Sequence, residues 1–129
     1  MGRFPFLNLL PVKAEFIFLF AMLLAFAACK KDKTDPVIVM HSPVEGASFD
    51  NGDTMWIQAE FSDNDALKET GIIVLKNGVS DMDHRDASGA HGHNYLINVT
   101  ANTDFEVKAI AEDVSGNKAE LKRTYNVVP

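Results

Sequence analysis

The chain has 129 residues, 12 of them basic and 18 acidic, with a formal net charge of −6 and a single cysteine. Net negative charge without a basic stripe argues against nucleic acid and against electrostatic attachment to anionic lipid. One cysteine excludes an intramolecular disulfide, so a folded part must rest on an apolar core.

In chain order, the first element is an export signal. Arg3 and Lys13 give the N-terminus positive charge, and the 13 residues Phe16 to Ala28 carry none. That length suits a signal peptide and is short of the roughly 20 apolar residues that cross a bilayer. The run ends at Phe26-Ala27-Ala28-Cys29, followed by Lys30-Lys31-Asp32-Lys33. This resembles the lipobox of bacterial lipoproteins, which implies cleavage before Cys29 and lipidation of its thiol. Each buried methylene then adds about 0.8 kcal/mol to membrane attachment. Residues 1–28 are thus expected to be a lipoprotein signal peptide, 29–35 the lipidated cysteine with a polar tether, and 36–129 one domain. From Cys29 onward there are 17 acidic residues (18 less Glu15) and 10 basic ones (12 less Arg3 and Lys13), a net of −7. Lys30 stands where many lipoproteins carry an inner-membrane retention aspartate, so the expected location is the outer membrane, facing the periplasm or the cell surface.

Beyond Pro36 the chain reads as strand and turn. Val37-Ile38-Val39-Met40 is a β-branched run stopped by Pro43, suited to an edge strand. Between Thr54 and Ser62, Met55, Ile57, Ala59 and Phe61 alternate with polar residues, the period of a half-buried strand. Trp56 falls on the polar side, either covering an edge or offering a contact surface. Asp65 to Thr70 has room for one helical turn. Thr70 to Lys76 predicts the next strand, closed by the turn pair Asn77-Gly78. Its apolar centre, Ile72-Ile73-Val74-Leu75, leaves two phases open; Ile73 and Leu75 are taken as inward, with Ile72 and Val74 as the alternative. Asn77 to Asn94 reads as one long loop, expected at the end away from the membrane. Further strands follow at Tyr95 to Val99, Phe105 to Glu112 and Ala119 to Val127, and Leu121, Val107 and Ala109 join the expected core. Six or seven short strands separated by Gly, Asn and Asp turns predict an all-β, immunoglobulin-like antiparallel β-sandwich.

The segments Asp35-Pro36, Ser42-Pro43-Val44-Glu45-Gly46, Asn51-Gly52-Asp53, Glu60-Phe61-Ser62-Asp63-Asn64 and Ala111-Glu112-Asp113-Val114-Ser115-Gly116-Asn117 resemble those of single immunoglobulin-like domains in lipoproteins from Bacteroidetes. The particular likeness is to an uncharacterised family designated DUF4625. It implies the sandwich fold and an envelope location, and it implies a histidine-bearing segment to which His84 and His91-Gly92-His93 correspond. It implies no biochemical activity.

Enzyme chemistry has little support. Cys29 is consumed by lipidation, and the serines lack nucleophile-elbow spacing. A hydrolytic enzyme is therefore the third reading, behind two binding functions. The first is an interaction module for an envelope protein or glycan. The second is a zinc-binding lipoprotein that uses the loop at 81–93. Three of the chain's four histidines fall there, and zinc accepts imidazole and carboxylate ligands in a tetrahedron. In extended backbone His91 and His93 project to one side. The expected ligands are His84, His91 and His93 with Asp83 or Asp86; the alternative is an ordinary solvated loop. Less strongly, Asp63-Asn64-Asp65 and Asp113 to Asn117 would meet at one end and offer oxygens to calcium.

Overall fold

A computed structural model describes residues 31–129; the proposed signal peptide and Cys29 lie outside the described residues. Asp32–Pro129 forms one compact unit. Seven strands follow in order: β1 (Val37–Ser42), β2 (Thr54–Ser62), β3 (Leu67–Lys76), β4 (Val79–Asp86), β5 (Ala90–Leu96), β6 (Thr103–Asp113) and β7 (Lys118–Val127). They make two antiparallel sheets, ordered β1-β2-β5 and β4-β3-β6-β7.

Period-two patterning decides which residues fill the space between the sheets. In β2, Met55, Ile57, Ala59 and Phe61 are buried while their neighbours are exposed. In β6, Phe105, Val107, Ala109 and Ala111 alternate inward in the same way. Phe105, Met55, Ile57 and Ile72 are among the largest wholly buried side chains. Each such side chain contributes about 1.5–3 kcal/mol relative to exposure.

Two expectations about β3 need correction. Pairing sets the phase of β3 opposite to the one taken. Ile72 faces Ala109 and Val74 faces Val107 across the ladder, so Ile72 and Val74 enter the core while Ile73 and Leu75 are only partly covered. Leu121 packs against the core while partly exposed, in keeping with its expected place in or near it. The stretch after Ala66 is extended rather than helical, because Leu67 and Glu69 already pair with Asp113 and Glu112.

The segment from Asn77 to Asn94 is not a loop. Asn77 and Gly78 adopt positive φ (48° and 81°), a two-residue turn that returns the chain as β4, with Lys76 opposite Val79. A short connection at 87–89 then carries it to β5 in the other sheet. This connection does not lie at the far end. Phe61 N–H donates to Gly89 O (2.8 Å), so it sits where β2 ends, and Val114 N–H donates to Ala66 O (2.9 Å) between the two connections expected to be acidic partners. Strands β4 and β5 are edges of different sheets, and they form the lateral seam of the sandwich.

Candidate metal centre

The seam places the histidines. His91, His93 and Tyr95 take the inward positions of β5, continuing the alternation into buried Ile97. On β4, Met82, His84 and Asp86 share one face at period two. Strand β4 comes close because β3 carries Gly71, where a Cβ would stand 2.7 Å from the His84 carbonyl oxygen. One nitrogen from each of His84, His91 and His93 lies within 4.8 Å of the others. Their rings are mutually packed, with centroids 4.6 Å apart for His84–His93, 5.3 Å for His84–His91 and 5.8 Å for His91–His93.

The environments of the three differ. His84 is half-exposed at the mouth of the seam, whereas His91 is buried. Phe61 meets the His91 ring edge-on at 5.4 Å. The wholly buried Thr70 donates its hydroxyl proton to Ser88 O (2.6 Å) and holds His91 Nε2 at 2.9 Å. With the Thr70 proton committed to Ser88, His91 Nε2 donates in the metal-free protein, and a metal bound there displaces that proton. His93 Nε2 is buried and has no hydrogen-bond partner. Burial first, then His84 and His91 beside it, hold the His93 pKa below its ordinary value, which favours the neutral ring that a metal requires.

Asp86 flanks the group, close to two of its rings, without lying within 4.8 Å of all three imidazoles. Its carboxylate lies 3.3 Å from His91 Nε2 and 3.5 Å from His84 Nε2. Neighbouring ligands of tetrahedral zinc are separated by about 3.3 Å, as bond lengths of 2.0–2.1 Å require. The Ser88 N–H bond and the adjacent His91 lower the Asp86 pKa despite some desolvation, so it stays ionised. Asp83, one residue from His84, is on the opposite face of β4 and is not brought into the group. Its carboxylate is engaged by Arg85 Nε at 2.8 Å. Thr70 was not among the sequence-derived candidates; a lone threonine heading an apolar strand gives no signal until its partners are known.

The acidic loops also meet. Carboxylate oxygens of Asp63 and Asp113 lie within 4.8 Å of each other and of Asp32, whose part was not expected. Asp65 instead accepts from Ser115 Oγ at 3.2 Å. Asp113 uses both oxygens on Asn117, at 2.8 and 2.6 Å. Asp32 accepts from Thr34 and Asn64, and Asp63 Oδ2 from Asp65. Only Asp63 Oδ1 is left without a donor. Calcium wants six to eight oxygens, so the histidine group is the better-formed site.

No family model and no curated protein matches the chain. Among solved structures, it is similar to the fibronectin(III)-like modules of CbhA from Clostridium thermocellum. That likeness has a TM-score of 0.52 at 16% identity and covers 71% of this chain and 93% of the module. A crystallised engineered protein gives a TM-score of 0.51 at 17% identity over 76% of this chain, which spans only 21% of that protein. The chain therefore has an immunoglobulin-like, fibronectin III-like β-sandwich fold. Identities this low speak to fold alone, and such sandwiches host many unrelated functions.

Proposed function

We propose that this chain is a lipid-anchored envelope protein whose β-sandwich binds a transition metal, zinc, through His84, His91, His93 and Asp86. The observation that carries the reading is the convergence of three imidazoles from two different sheets on a seam where one ring nitrogen, His93 Nε2, is buried without a partner. A buried polar atom left unpaired costs about 1–3 kcal/mol, and a metal removes that cost. Three nitrogens and one carboxylate oxygen are the ligand types and number zinc takes in closed sites, so the role is binding rather than catalysis. The anchor is Cys29, placing the domain at the outer membrane. Calorimetry on chelator-stripped protein tests the metal reading: one saturable zinc per chain with Kd below about 10 μM is expected. Absence of saturable binding contradicts it.

A second reading, an interaction module for an envelope protein or glycan, has one supporting observation. Trp56 is 45% exposed on the outer face of the β1-β2-β5 sheet. Its indole lies over Gly92, where a Cβ would approach Cη2 to 3.0 Å. Substituting Trp56 by alanine and measuring capture of defined envelope glycans tests it, with unchanged capture counting against it.

A further inference from the structure

We propose that the metal is a clasp that closes the sandwich along its lateral seam, so that β4 is held firmly only in the metal-loaded protein. This rests on the metal reading above and adds a mechanical consequence to it. Strand β4 pairs with β3 alone, and of its eight residues only Met82 is even partly buried. It therefore contributes almost no apolar burial, and segments with exposed ladder bonds and few apolar contacts open at low free energy. Across the seam, direct polar ties stand near its two ends. The Tyr95 hydroxyl donates to Asp81 at one; at the other, Thr70 joins Ser88 and His91, and the Asp86 carboxylate stands 3.3 Å from His91 Nε2. Between them lie the partly buried Met82 and the imidazoles, with no ladder bonds joining β4 to β5.

A metal changes that stretch in a specific way. It joins His84 and Asp86 on β4 to His91 and His93 on β5, linking edges that belong to different sheets. These ligands are close in sequence, so the link constrains the unfolded chain little. Its main effect falls on local opening of β4. Strand β7, the other edge of the same sheet, carries none of the ligands and serves as an internal reference.

The test is amide hydrogen exchange on the full chain in detergent, chelated or saturated with Zn²⁺, followed by mass spectrometry. Peptides covering Val79–Asp86 are compared with peptides covering Lys118–Val127. Zinc is expected to slow exchange in β4 at least about tenfold and to leave β7 within about twofold, because native-state exchange at an open edge reports local opening. His84→Ala should abolish the slowing, whereas Asp83→Asn, on the outer face, should retain it. Saturable zinc binding with unchanged β4 exchange overturns the clasp and leaves the metal reading standing. Equal slowing of β4 and β7 also overturns it, since that is ordinary linkage of binding to global stability. Failure of zinc to bind overturns both.

Discussion

His84→Ala separates metal binding from folding more cleanly than any other substitution at the centre. The side chain is 48% exposed and adds little to the core, so its removal should cost metal-free stability less than about 1 kcal/mol. Removing one of four ligands should weaken zinc by at least about 100-fold, or about 2.7 kcal/mol. The two magnitudes can be read in one experiment. At free zinc 100 times the wild-type Kd, binding stabilises the wild-type fold by about 2.7 kcal/mol; at the same concentration the variant gains only about 0.4 kcal/mol. For a domain of this size 1 kcal/mol moves Tm by about 4–8 °C. Zinc should thus raise the wild-type midpoint by about 10–20 °C and that of the variant by about 2–3 °C. Circular dichroism follows the melt. The single tryptophan, lying on Gly92 between two ligands, gives a second signal. A variant that keeps the full zinc shift refutes His84 as a ligand. A metal-free midpoint lowered by more than about 8 °C refutes its placement at the solvent-facing mouth.

Phe105→Ala removes a wholly buried ring that meets Tyr95 edge-on at 5.9 Å. Urea unfolding should show a loss of about 3–5 kcal/mol, and a loss below about 1 kcal/mol contradicts the core assignment. His93 gives a pH signature with a definite sign. Because its folded pKa is below 6.5, its contribution to metal-free stability is complete above that value and is lost as pH falls from there through the lower folded value. The urea midpoint of chelated protein should therefore fall less steeply between about pH 7 and pH 5 in His93→Gln than in wild type; equal slopes contradict this. Cys29→Ala should release the protein from the membrane fraction and remove acyl mass. Unchanged detergent partitioning counts against lipidation.

How much of this could be read from residues alone depended on whether a strand had one wet face. Strand β2 alternates apolar and polar side chains, so its extent and buried set were readable. Strand β3 carries four consecutive apolar residues, and only its register against β6 decides which two face inward. Strand β4 has no apolar alternation because it is an exposed edge. The available signal was the Asn77-Gly78 turn, which demands a returning partner strand at once. At the start of β5, histidines occupy the inward positions, so the pattern looked polar and loop-like although Tyr95 and Ile97 continue the same phase. The three histidines were recognisable by type and spacing. Asp86 could be told from Asp83 only by the parity of a strand that the residue pattern hid.

Anomalous diffraction at the zinc edge, from crystals of protein loaded with one equivalent of Zn²⁺, tests the metal centre most directly. A single peak bonded to His84, His91, His93 and Asp86 at about 2.0–2.2 Å is the expected result. A peak elsewhere, including one among Asp32, Asp63 and Asp113, or no ordered peak at the seam, contradicts it.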